Sequence, residues 1–136
     1  MREWIVPALG TFLCWALWSF IPKITVRYID PKSAIFYESL AAIPIAVLVL
    51  ASLRGRPESN PTGVVLAGVS GLVGFLGAWA YLRAVTRGPV TLIVSFTALY
   101  PALTIFLAWL FLHEPITLRQ GAGIALALVA MVLVAV

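Results

Sequence analysis

The chain has 136 residues, 62% of them hydrophobic and only 10% charged, with a formal net charge of +4. Soluble domains are roughly 45–50% apolar and about 25% charged, and the core of so short a chain cannot hide this much apolar surface. The composition argues against a soluble enzyme domain, a disordered segment and a disulfide-rich scaffold, and leaves an all-α integral membrane protein in contact with the lipid bilayer. Cys14 is the single cysteine and lies in an apolar run, where a buried thiol is expected.

Charges punctuate the sequence at intervals that suit membrane spans. None interrupts 4–22, 59–82 or 88–112, and 33–53 carries only Glu38. A spanning helix needs about 20 apolar residues to cross roughly 30 Å. Five transmembrane helices are therefore expected near 4–22, 33–53, 62–84, 90–112 and 116–136, in a single membrane domain covering 1–136. Arg119 snorkels at the start of the last one. The runs are continuous and rich in Leu and Ala, without the period-two alternation of a membrane barrel. Turn signals separate them: Asp30-Pro31, Arg54-Gly55-Arg56-Pro57, Asn60-Pro61, Arg87-Gly88-Pro89 and Glu114-Pro115.

The first helix ends on bulky Phe20, Ile21 and Pro22 rather than a small-x-small cleavage pattern, and is expected to be retained. It carries Trp4 at interfacial depth, and Cys14, Trp15, Trp18 and Ser19 at spacings of three and four. In the second helix Glu38 is the one acid well inside a span. A charge at mid-membrane costs about 2.5–3.5 kcal/mol on insertion scales, so such an acid lines a cavity or has a partner. Two readings stand: proton exchange coupled to solute movement, or an ion pair with Lys32, Arg83 or Arg87. With Tyr37, Trp15 and Trp18, Glu38 makes either an aromatic box for an amphipathic cation or ordinary packing.

Pro44 in the second helix and Pro101 in the fourth are expected to break the backbone bonding of their spans. Ser95, Thr97, Tyr100 and Thr104 flank Pro101, available to the freed groups or to a wet cavity. The third helix carries Gly68, Gly71, Gly74 and Gly77, with Ser70, Gly74 and Ala78 in a small-residue stripe suited to close helix packing, and Gly121 and Gly123 of the last helix suit packing or a dimer contact. His113 and Glu114 read as a loop cap. The sequence offers no metal-ligating cluster, no catalytic constellation and no cofactor motif.

Five spans place the termini on opposite sides. Arg2, Arg54, Arg56 and Arg119 then lie on one side, and Lys23, Arg27, Lys32, Arg83 and Arg87 on the other. With counts this close the positive-inside rule barely chooses, so insertion in both orientations and a single orientation both remain open. The cations are too scattered for a nucleic-acid partner.

The stretch Ala78-Trp79-Ala80-Tyr81-Leu82-Arg83-Ala84, followed by Leu99-Tyr100-Pro101-Ala102-Leu103-Thr104 and Ala108-Trp109-Leu110-Phe111-Leu112-His113-Glu114, resembles the EamA-like domain of the drug/metabolite transporter superfamily. The resemblance is clear over 75–136 and, in the first two helices, lies in helix number and length. It implies that this chain is one half of a ten-helix inverted-repeat transporter and that two copies assemble as an antiparallel homodimer, or that it pairs with another half-size chain. It also implies a helix bend at Tyr100-Pro101 beside the pathway and contact between halves through the last helix. The expected function is secondary transport of a small metabolite or drug-like solute in a prokaryotic cytoplasmic membrane, with proton coupling through Glu38. The alternative is a non-transporting subunit that scaffolds or regulates a larger complex.

Overall fold

The computed structural model describes residues 5–135. Six helices follow one another: α1 Ile5–Thr25, α2 Pro31–Ser52, α3 Pro61–Arg87, α4 Val90–Thr97, α5 Tyr100–Leu112 and α6 Leu118–Ala135. No strand occurs among the described residues. Trp4 and Val136, the expected ends of the first and last spans, lie outside them, as does Arg2.

The helix ends follow from local chemistry. Asp30 caps α2: its Oδ1 accepts the backbone N–H of Lys32 at 2.8 Å and of Ser33 at 3.2 Å, and Pro31 fills the first turn, where no donor is needed. The helix thus starts two residues before the expected 33. Asn60 caps α3 in the same way, its Oδ1 accepting the Gly63 N–H at 3.1 Å. At the far end of α3 the chain stays helical to Arg87, beyond the expected 84, and stops where Pro89 restricts the residue before it. Thr117 and Gln120 form a reciprocal capping box: the Thr117 N–H donates to Gln120 Oε1 at 2.9 Å and the Gln120 N–H to Thr117 Oγ1 at 3.3 Å. That box moves the start of the last helix from the expected 116 to Leu118.

The largest departure lies in the fourth span. The expected continuous helix over 90–112 is two helices, α4 and α5, joined by Ala98 and Leu99. Pro101 cannot donate to the Thr97 carbonyl and its ring crowds that turn. The chain answers with tighter bonding, Leu99 N–H to Phe96 O at 3.3 Å and Ala102 N–H to Leu99 O at 3.1 Å. Pro101 thus stands in the first turn of α5, where a missing donor is harmless. Helix α2, in contrast, runs unbroken through Pro44.

Four segments, α1, α2, α3 and Val90–Leu112, are long and apolar enough to cross a membrane. Helix α6, at 18 residues, falls within the range of about 17–25 that can span. Leu, Ile, Val and Phe side chains stay exposed along every helix, a surface that suits lipid and not water. The protein is an integral membrane protein.

The chain forms two compact units, one ending at Arg87 and one beginning at Gly88. In the first, α1 and α2 both pack on α3. Tyr81 Oη donates to the Ser19 carbonyl at 2.6 Å and Lys23 Nζ to the Val85 carbonyl at 2.7 Å; both contacts join residues 62 apart, so α1 and α3 run parallel in constant register. Ala78, Tyr81, Leu82 and Val85, spaced three and four apart, form the buried stripe of α3, and Pro22 of α1 and Ala34 of α2 are buried with them. The tight packing is confined to the end of the unit where α1 and α3 finish and α2 begins. Cys14 lies in the uncovered part of α1 and is exposed, not the buried thiol expected. In the second unit α4 packs on α6.

Candidate functional site

Glu38 sits one helical turn beyond Ala34, and the two share a stripe with Ala42. Ala34 is buried, while Glu38 and Ala42 are half-buried. The carboxyl thus projects along the covered face of α2, just past the tightly packed end. Among the described residues it forms no ion pair. The cations considered as its partners are placed otherwise: Arg83 lies 5.7 Å from the centre of the Trp79 ring, and Lys32 and Arg87 are exposed.

The aromatic residues of the first unit pair off. Trp18 stacks on Tyr81, with ring centroids 5.6 Å apart and planes 30° apart. Tyr37 meets its neighbour Phe36 edge to face, centroids 5.5 Å apart, and remains exposed. Trp15, one turn before Ser19 on α1, is exposed as well. Trp18 and Tyr37 therefore each have a ring partner outside the box that sequence spacing suggested. Tyr81, absent from the residues that sequence spacing suggests, is with Lys23 one of two side chains that tie α1 to α3. A signal was present: it falls on the same stripe as Ala78, Leu82 and Val85, and a buried tyrosine hydroxyl needs an acceptor.

Of the small residues, Gly71 and Gly74 have nothing within 4 Å of the position a Cβ would take, and neither does Gly123. Only Ile116 Cγ2, at 4.0 Å, approaches such a position at Gly121. Close helix contact in the first unit runs instead through Ala78, Tyr81, Leu82 and Val85.

In the second unit Tyr100 is exposed and Pro101 half-buried, both directly after the break. The nearby hydroxyls turn back onto their own helices. Ser95 Oγ donates to Thr91 O at 2.8 Å, Thr97 Oγ1 to Ile93 O at 2.9 Å and Thr104 Oγ1 to Tyr100 O at 3.2 Å. None of them serves the Thr97 carbonyl that Pro101 releases. Below the break, α5 and α6 border an open, mostly apolar groove of about 480 Å³, with Trp109, Glu114 and Gln120 among its lining residues. His113 ends α5 in the left-handed conformation, φ 56°, and the Glu114 N–H reaches back to the Ala108 carbonyl at 3.5 Å, which makes the pair a helix cap.

Outside the spans, Asp30 is held below the usual carboxylate range. The Ser33 hydroxyl, 2.5 Å from Oδ2, is the main cause, followed by the backbone N–H groups of Ser33 and Lys32. No group of three or more His, Cys, Asp and Glu able to hold a metal occurs among the described residues.

Comparison with known proteins places this architecture. A protein of Methanocaldococcus jannaschii, uncharacterised, is 24% identical over 132 residues, 97% of this chain and 96% of that protein. An uncharacterised transporter of Bacillus subtilis is 29% identical over 136 residues, 96% of this chain but 44% of its own length. An uncharacterised membrane protein of Saccharomyces cerevisiae is 36% identical over 80 residues, 59% of this chain and 18% of that protein. The chain thus spans less than half of these last two relatives. No solved structure matches it. The model of the EamA-like transporter family matches residues 2–136, and the chain belongs to that family.

Proposed function

We propose that this chain is a secondary transporter of the drug/metabolite type that moves a small metabolite or drug-like solute across a prokaryotic cytoplasmic membrane in exchange for protons. The observation that carries the reading is Glu38, a half-buried carboxyl without an ion-pair partner among the described residues, on the covered face of a spanning helix. An acid in that setting is the default site of ion or proton handling in a membrane protein. The break at Ala98-Leu99 adds a second transporter trait, since discontinuous spans recur where solute and coupling ions bind.

The working unit is an antiparallel homodimer of two inverted copies, ten helices in all. Its support is the near-even split of Lys and Arg between the two sides, which permits both orientations. The Bacillus relative, a protein named as a transporter and more than twice as long as this chain, points the same way. Trp15, Trp18, Tyr37 and Pro44 in the first unit, and Tyr100 and Pro101 in the second, are the residues assigned to the pathway. Gly121 and Gly123 belong to the contact between copies.

The test is flux into proteoliposomes under an imposed proton gradient, with tetraphenylphosphonium as the first probe because its charge and rings suit an acid among aromatics. Wild type accumulates the probe and Glu38→Gln does not. Gradient-driven accumulation that survives in the variant refutes the role of Glu38.

A further inference from the structure

Phe75, Trp79, Arg83 and Arg87 follow one another at four-residue spacing along α3, forming a slanted ridge beside the buried stripe. All four side chains are exposed. The ridge changes character along its length, from apolar ring to indole to two guanidinium groups at the end of the span. The Arg83 guanidinium carbon lies over the Trp79 ring, 5.7 Å from its centroid, a cation–π contact that joins the basic and aromatic parts of the ridge.

The charge around this end is unbalanced. Arg27, Lys32, Arg83 and Arg87 are exposed there, and none makes an ion pair among the described residues. The only acid in the same connections is Asp30, and its two oxygens are taken by the start of α2: Oδ1 by the Lys32 and Ser33 N–H groups, Oδ2 by the Ser33 hydroxyl. At the opposite end of the unit, the described connection between α2 and α3 carries Arg54 and Arg56 against Glu58.

We infer that the ridge is a binding site for one anionic phospholipid, its phosphate bridged by Arg83 and Arg87, its glycerol region against Trp79 and an acyl chain along Phe75. Planar guanidinium groups match phosphate oxygens in paired geometry, and an indole suits the membrane interface. A free phosphate would use the arginines alone. The lipid is chosen because the basic pair continues without interruption into aromatic and apolar surface.

The experiment uses the full chain in nanodiscs of phosphatidylcholine with a minor fraction of phosphatidylglycerol, with native mass spectrometry counting the lipids retained. Wild type keeps phosphatidylglycerol preferentially, and the double variant Arg83→Gln/Arg87→Gln lowers that preference about five-fold per arginine removed. The control Arg54→Gln/Arg56→Gln leaves it unchanged. Equal loss in both double variants means general surface charge and overturns the site, as does unchanged preference in the first. Quenching of tryptophan fluorescence by brominated acyl chains gives a second readout. Brominated phosphatidylglycerol quenches wild type more than brominated phosphatidylcholine, and Trp79→Phe removes the excess. An excess that persists in Trp79→Phe, or displacement of the lipid by inorganic phosphate at matched concentration, also overturns the inference.

Discussion

The ammonium of Lys23 lies 2.7 Å from the carbonyl oxygen of Val85, the acceptor whose helical partner four residues on would be Pro89. Proline has no N–H to give, so the last turn of α3 carries a buried carbonyl that lacks its usual backbone donor four residues on. A lysine from α1 supplies the donor, and its positive charge also suits a helix C-terminus. A residue that looks in sequence like the basic flank of the first span is therefore a tertiary cap on the third. Replacing it by Met, which keeps most of the apolar stem, is expected to cost about 1.5–3 kcal/mol. A lowered melting temperature in detergent micelles checks this; an unchanged value shows that the Val85 carbonyl finds another donor.

One turn earlier, Tyr81 holds the same two helices through a stacked ring and a hydroxyl. Tyr81→Phe keeps the stack on Trp18 and removes only the bond to the Ser19 carbonyl. A loss of about 1 kcal/mol is expected. Tyr81→Ala removes both and leaves a cavity, with an expected loss of about 3–5 kcal/mol. Chemical unfolding of the two variants in the same micelles separates hydroxyl from ring.

Asp30 makes the start of α2 sensitive to acid. Its carboxyl is held down in the folded protein by the Ser33 hydroxyl and by two backbone N–H groups. A carboxyl with a depressed folded value contributes stability above its unfolded value, near 3.8, and loses that contribution as pH falls through the folded value. Protection of the Lys32 and Ser33 amides against hydrogen exchange, corrected for intrinsic rates, is therefore expected to fall at the acid end of a titration from about pH 6 to about pH 3. In Asp30→Asn the cap persists and the dependence disappears. Fraying that is identical in the two proteins assigns the acid sensitivity to another group.

The capping box of α6 gives a prediction on the second unit. Thr117→Ala removes the acceptor for the Gln120 N–H and is expected to cost about 0.5–2 kcal/mol, read as faster amide exchange in the first turn after Leu118. Exchange at the wild-type rate means that the helix start is fixed by its neighbours instead.

The sequence made the spans legible because a bilayer demands long apolar runs, and charges or Pro-containing turns mark where those runs stop. It was less informative about ends set by single side chains. Thr117-x-x-Gln120 is a recognisable capping pattern, yet hydropathy alone carried the last helix back to 116. Pro101 announced a disturbance but not its form, since a kink and a full break at Ala98-Leu99 share one cause and differ in how the neighbouring carbonyls are satisfied. The pairing of Trp18 with Tyr81 and of Lys23 with Val85 depends on the parallel register of α1 and α3, which no local pattern encodes. Glu38 stood out from composition alone, because an acid inside an apolar run is costly wherever it ends up. That it lies on the covered stripe of α2, one turn past Ala34, needed the packed helices.

The proposed pairing of two inverted copies into one transporter is tested most directly by the orientation of the chain in living membranes. A topology reporter is fused to the carboxyl end, in one form active only inside the cell and in another active only outside. Substantial activity is expected from both forms at equal expression. Activity from one form alone contradicts the antiparallel homodimer.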